Sequence, residues 1–221
     1  MSNTLVLDVD GTLVDTNYHH TVAWLRAFRS LDVTVPGWRV HRAIGMGGDR
    51  MVAAVAGEHV EQQHGDDLRA AWERYFDEMI DEIQPFEGAH RLVRAATEMG
   101  LSVVLASSGK SKHIEHYLKL LDPGDVAWTT SDDVEKSKPA PDLLQVALRE
   151  VKGDRAVMIG DSVWDCEAAR RAGLPSIGML TGGVSEDELF DSGASAVYQD
   201  LDTLRGELAD LPFAELADPA V

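Results

Sequence analysis

The chain is nearly without cysteine. Cys166 stands alone among 221 residues, which excludes an intrachain disulfide and a cysteine metal cluster. A small side chain on a helix is the plain reading of it. Long apolar runs are also missing: nothing approaches the roughly 18 consecutive apolar residues that a membrane helix needs. The one apolar stretch near the N-terminus is broken by Asp8 and Asp10, which argues against a signal peptide. Internal repeats and low-complexity tracts are absent. These absences lead to the expectation of a cytoplasmic protein with no membrane contact, its oligomeric state open between monomer and dimer.

Positive charge is scarce. There are 20 Lys+Arg against 38 Asp+Glu, a formal net charge of −18. Such a field repels polyanions over a Debye length of about 8 Å at physiological salt, so nucleic acid is not an expected partner. A small phosphate ester remains compatible with the charge if its pocket brings its own cations. Zinc spacing is lacking as well, because His113 and His116 lie three apart with no third ligand in view.

What is present is enough apolar residue, 44 %, to build a core, at a length that fits one core domain with an insertion. Thr4 to Val9 reads as a short buried strand ending in the turn Asp10-Gly11-Thr12. From about Thr16 to Gln84 the rhythm is helical, with Leu68, Trp72, Phe76, Ile80 and Ile83 at three- and four-residue steps. After Pro85 and Gly88 helices alternate with short apolar strands at 101–106, 126–129, 155–159, 176–179 and 196–198. Strands joined by crossover helices imply a parallel sheet covered on both faces. The expected fold is therefore α/β, a doubly wound, Rossmann-like three-layer core (1–15 and 86–221) carrying an inserted all-helical cap (16–85).

Ligands of such sheets bind beyond the carboxyl ends of the strands, and the residues there are polar. Asp8 and Asp10 close the first strand, and Asp161 and Asp165 follow the strand ending at Ile159. Two residues apart on a strand, Asp8 and Asp10 are expected on one face. One aspartate after a strand is often only a helix N-cap; four at strand ends of one sheet point to a site. Clustered carboxylates need a hard cation, and Mg²⁺ suits them best because it also bridges to phosphate. Ser107, Ser108, Gly109 and Lys110 follow the second core strand, and Lys138 is held between Ser137 and Pro139. A lone loop lysine is ordinarily just solvated, but both of these fall at strand ends in a lysine-poor chain.

Taken together these residues resemble the haloacid dehalogenase-like superfamily. Its four signature segments stand in order: Asp8-Val9-Asp10-Gly11-Thr12, Ser107, Lys138-Pro139 and Gly160-Asp161-Ser162-Val163-Trp164-Asp165. The resemblance implies a phosphohydrolase acting on a small phosphate monoester with Mg²⁺. Asp8 would be the nucleophile and Asp10 the general acid and base. Ser107 and Lys138 would hold the phosphoryl oxygens, with Thr12, Ser108, Gly109 and Lys110 near the substrate. The metal would take Asp8, the main-chain carbonyl of Asp10, and Asp161, with Asp165 behind them orienting Lys138 or a bound water.

Departures from the family's other chemistries narrow the reading. Dehalogenases lack the second aspartate, which is Asp10 here. Phosphonatase-like members replace it and use a cap lysine as a Schiff base, whereas the first lysine of this chain is Lys110. Mutases resembling β-phosphoglucomutase keep both aspartates and carry a cap histidine, where His20 falls, but also a cap lysine. A sugar-phosphate mutase is the alternative, and a silent phosphate-binding protein a second. Gly45-Met46-Gly47-Gly48-Asp49-Arg50 resembles the loop that phosphoglycolate phosphatase-like members lower over the substrate, so Gly47 and Arg50, with Arg42 as another cation, are substrate-side candidates. The plain reading of those residues is a helix-linking turn with solvated arginines.

Overall fold

A computed structural model describes residues 2–151 and 153–216. Six strands run parallel: β1 (Asn3–Leu7), β2 (Ser102–Ala106), β3 (Ala127–Thr129), β4 (Arg155–Gly160), β5 (Ser176–Met179) and β6 (Ala194–Tyr198), in the order β3-β2-β1-β4-β5-β6. A short strand the sequence did not reveal, β7 (Ala214–Glu215), lies antiparallel to Arg155 and Ala156 of β4. It occupies the side of β4 that β5 leaves free, since β5 pairs only with Met158 to Gly160.

The central strands open on polar residues such as Asn3, Ser102 and Arg155 and then run apolar, because both faces are covered there. Along β1, Leu5 and Leu7 join one core while Val6 joins the other. Met158 and Ala156 of β4 lie on Val6's side, and Val157 and Ile159 on the opposite side. Period-two alternation thus feeds two helical layers rather than a core and solvent.

Four α-helices form the insertion between Val14 and Pro85: α1 (Asn17–Ser30), α2 (Gly37–His41), α3 (Gly48–Ala56) and α4 (Glu58–Asp77). Ala23, Trp24, Ala27 and Phe28 of α1 are buried with Leu68, Trp72 and Phe76 of α4, the stripes that three- and four-residue spacing produces. The chain enters and leaves this insertion side by side. Val14 pairs with Pro85, Asp15 N donates to Gln84 O at 3.0 Å, and Phe86 N to Leu13 O at 2.9 Å.

Downstream come α5 (Ala89–Glu98), α6 (Ser111–Leu121), α7 (Asp142–Glu150), α8 (Val163–Ala172), α9 (Glu186–Asp191) and α10 (Leu201–Gly206). Leu143, Leu144 and Ala147 of α7 and Ala168 and Ala169 of α8 cover one face of the sheet. Leu92 and Val93 of α5, Ile114 of α6 and Leu204 of α10 cover the other. Among the described residues no helix is long and apolar enough to cross a membrane. The winding reverses between β1 and β4, and Asp8, Ser107 and Asp161 are the first residues past β1, β2 and β4. The topology therefore delivers three polar side chains to the crevice where such sheets bind ligands.

Candidate active site

Asp8 sits where β1 has just ended, its N–H donating to Ile159 O at 2.9 Å, so β4 fixes its backbone. Its carboxylate pairs with the Lys138 ammonium, which also lies 2.7 Å from Asp165 Oδ1 and donates to Ala106 O at 3.3 Å. The Lys138 side chain is only 1 % exposed. Burial alone would discharge it, but Asp165 and Asp8 outweigh burial and hold its pKa above the ordinary lysine value. It is a fixed positive charge.

Asp165 does two things at once. One oxygen meets Lys138; the other accepts from Ser162 N at 3.1 Å and Ser162 Oγ at 2.6 Å. Ser162 in turn caps Asp165 N, a reciprocal capping box that starts α8. The helix cap thereby locks the carboxylate that orients the lysine.

Asp161 accepts from two donors, Thr12 Oγ1 at 2.9 Å and Asn17 Nδ2 at 2.8 Å, and Thr12 Oγ1 also lies 3.3 Å from Asp8 Oδ2. Burial, then Asp165, push the Asp161 carboxyl up to about 7 against those hydrogen bonds and Lys138. Asp8, Asp161 and Asp165 each offer an oxygen within 4.8 Å of the others, and all three are buried. Three buried carboxyl groups compete for one buried ammonium, and burial with their mutual repulsion raises the pKa of Asp8 as it raises that of Asp161. A hard, oxygen-only, under-compensated donor set of this kind fits Mg²⁺.

Asp10 stands apart from that cluster. β1 stops at Leu7, so the two aspartates lie past the strand rather than on it, yet both line one chamber; the chain then turns, Gly11 N donating to Val14 O at 2.8 Å and Leu13 N to Val9 O at 2.9 Å. Gly11 takes φ +78°, and a Cβ there would collide with Asn17 and Asp161, so this turn requires glycine. The Asp10 carboxylate instead accepts from Thr16 Oγ1 (3.0 Å) and Ser107 Oγ (2.7 Å), and lies 3.0 Å from His20 Nε2. Burial would raise its pKa, but His20, Ser107 and Thr16 together hold it well below the carboxylate range.

The remaining sequence-predicted residues divide. Ser107 reaches Asp10 and accepts from Gly109 N at 2.9 Å, while Ser108 Oγ donates to Gly45 O across to the insertion at 3.3 Å. His20 is buried, stacked on Phe76 at 4.1 Å. Thr12, expected at the substrate, is turned to the carboxylates. Lys110, also expected there, is tied to Glu73 of α4. Arg50 is exposed and Arg42 is paired with Glu188 of α9, so neither faces the carboxylates. Gly47 meets Ser137 so closely that a Cβ would overlap it; it is a seam between insertion and core. His113 pairs with Asp77 at 2.9 Å, and Cys166 is buried, its thiol pushed up to about 11, chiefly by burial.

Sequence reasoning missed Thr16 and Asn17. Thr16 occupies the N-cap position of α1, yet makes no side-chain cap bond; its hydroxyl serves Asp10. A polar pair at a helix start reads as capping, and nothing local distinguishes it from a site contact.

Asp8, Asp10, His20, Trp24, Ile44, Gly45, Met51 and Ser108 enclose a chamber of about 50 Å³ between sheet and insertion. A buried carboxyl group beside a fixed ammonium, with two further carboxyls next to it, thus shares a small chamber with the carboxylate of Asp10.

The chain belongs to the haloacid dehalogenase-like hydrolases, whose family model matches residues 3–173. Among its relatives, the phosphoglycolate phosphatase of Escherichia coli (strain K12) is 31 % identical over 96 % of this chain and 94 % of its own length. The phosphonoacetaldehyde hydrolase of Bordetella pertussis is 27 % identical over 81 % of this chain and 72 % of its own length. A hydrolase from Pseudomonas syringae has a solved structure that superposes with a TM-score of 0.89, at 30 % identity, covering 96 % of this chain and 99 % of that one.

Proposed function

We propose that this hydrolase is a Mg²⁺-dependent phosphatase of a small phosphate monoester, working through an aspartyl phosphate on Asp8. The observation that carries the reading is the position of Asp8, buried against Lys138 and lining a small chamber that Asp10 also lines.

Asp8 attacks phosphorus and the alcohol departs toward Asp10. Asp10, ionised in the free protein, takes up a proton together with the ester, hands it to the leaving oxygen and later takes one from the hydrolytic water. Thr16, His20 and Ser107 fix the carboxylate in one orientation for both steps. Lys138, held by Asp165, offsets charge building on the phosphoryl oxygens. Asp8, Asp161 and the main-chain carbonyl of Asp10 would hold the metal, with Asp165 behind; when bound it supplies charge neutralisation and alignment of the phosphoryl group. Trp24, Ile44, Met51 and Trp72 wall the chamber and keep bulk water from the intermediate.

The relative named as a phosphonoacetaldehyde hydrolase does not set the chemistry here. No lysine occurs before Lys110, so the inserted helices have no amine for a Schiff base. The same lack counts against a mutase.

The test is phosphate release from a panel of monoesters with Mg²⁺ and then EDTA, with products identified. Acid quenching during turnover should leave a phosphoryl group on the peptide containing Asp8. Asp8→Asn should abolish both signals while near-ultraviolet circular dichroism stays native. Steady-state turnover by that variant would overturn the nucleophile assignment.

A further inference from the structure

A second chamber of about 240 Å³ adjoins the small one, and Gly48, Trp72, Ser108 and Gly109 line both. The walls of this larger space have an uneven chemistry. Two cations line it, Arg69 of α4 and Lys110. Neither is available. Arg69 makes a two-pronged contact with Glu61 at 2.9 and 3.1 Å, meets Asp66 at 2.9 Å, and donates to Gly48 O at 3.3 Å. Lys110 is paired with Glu73, which also binds Lys112 at 2.5 Å. Two further carboxylates, Asp49 and Glu135, stand on the walls, Asp49 accepting from Ser137.

A leaving group that carried a carboxylate into this space would meet no unpaired cation among the described lining residues and would face Asp49 and Glu135. A hydroxyl-rich neutral group fits instead. It can donate to those carboxylates and exchange hydrogen bonds with Ser108 and Ser131.

We propose that the second chamber is the leaving-group site and selects esters of uncharged polyhydroxylated alcohols, sugars or sugar alcohols, against esters whose leaving group is a carboxylate. The inference rests on the phosphatase reading and names its substrate class. It separates this chain from the relatives named phosphoglycolate phosphatase despite their similarity. Discrimination of this kind comes from repulsion and from spent cations as much as from new attraction.

The experiment compares matched esters differing by a carboxylate for a hydroxymethyl group: phosphoglycolate with hydroxyethyl phosphate, phosphoglycerate with glycerol phosphate, phosphogluconate with sorbitol phosphate. The full chain with Mg²⁺ should show kcat/KM at least about tenfold higher for the neutral member of each pair. Glu73→Gln and Glu61→Gln, which release Lys110 and Arg69, should each move the acid-to-neutral ratio about tenfold toward the acid. Equal or higher kcat/KM on the acids overturns the proposal and leaves the phosphatase reading standing. A neutral preference that neither variant moves also overturns it, because the preference would not be electrostatic. Failure to hydrolyse any of the esters, or p-nitrophenyl phosphate, overturns the phosphatase reading and this inference with it.

Discussion

Nε2 of His20, on the first inserted helix, lies 3.0 Å from Oδ1 of Asp10, on the turn that follows the first strand of the sheet. The contact spans the two crossings between core and insertion, and the imidazole is fixed from behind by stacking on Phe76. Position and rotation of the Asp10 carboxylate therefore depend on where the insertion sits.

From this follows a prediction for His20 as a positioning residue. His20→Ala removes one of three groups holding Asp10 and should lower kcat about ten- to hundredfold, within the range that acid–base assistance contributes, with little change in KM. His20→Gln keeps a donor and should recover part of the loss. Unchanged kcat in the alanine variant would show that Thr16 and Ser107 suffice. A purely structural role would lower the melting temperature of both variants without the kcat difference between them.

A second prediction concerns the seam. A Cβ on Gly47 would overlap the Ser137 side chain, and Ser137 precedes Lys138. Gly47→Ala should hold the insertion off the core and reduce kcat/KM about ten- to hundredfold, the sensitivity expected of misplacements near 1 Å. The melting temperature should fall as well, through the overlap alone, because Gly47, the residue before α3, has a φ of −71° that alanine adopts freely. A variant with full activity would mean that Ser137 yields and the seam is loose.

How much of this was legible beforehand follows from how local each signal is. Runs such as Leu5–Leu7 and Val103–Ala106 are apolar on both faces, so they announce a parallel sheet, and the lysine and aspartates at strand ends announce a site. The partition of the aspartates was not legible. It depends on β1 ending at Leu7 and on a turn closed by contacts to Val14 and Val9, which period-two reasoning overran. Thr16 and Asn17 were hidden because their partners, Asp10 and Asp161, are set by tertiary placement. The pairing of Lys110 with Glu73 and Arg42 with Glu188 was hidden for the same reason: a charge in sequence carries no mark of the partner that neutralises it. The strand β7 is two residues long and has no pattern to read.

A third prediction uses the tie between α2 and α9. Arg42, then Ser185, hold the Glu188 carboxyl down to about 2 from its ordinary 4.5. A carboxylate depressed on folding adds stability above its unfolded value and loses it as pH falls toward the folded one. Glu188→Gln should therefore melt slightly below wild type at pH 7, and the gap should close as pH drops from about 4.5 toward 2. The side chain is 41 % exposed, so the gap should also shrink in high salt. A gap that widens on acidification would contradict the assignment.

The last prediction tests the carboxylate cluster without any turnover. Asp8, Asp161 and Asp165 share one buried ammonium, and burial with mutual repulsion pushes Asp161 up to about 7. A divalent cation binding the folded state alone stabilises it by about 2.7 kcal/mol at a hundredfold excess over Kd, roughly 5–10 °C for a chain of this size. Mg²⁺ should thus raise the melting temperature of the wild type. Asp161→Asn removes both a ligand and a repelling charge, so it should melt at or above wild type without metal and gain little when Mg²⁺ is added. Lys138→Met takes away the only buried cation in contact with the cluster among the described residues. It should cost about 3–5 kcal/mol in metal-free buffer, as broken buried ion pairs do, and Mg²⁺ should restore more stability to it than to wild type. Differential scanning calorimetry with and without EDTA reads all three. A wild-type melting temperature indifferent to Mg²⁺ would remove the metal from the proposed mechanism, whereas a shift surviving in Asp161→Asn would move the metal to other ligands.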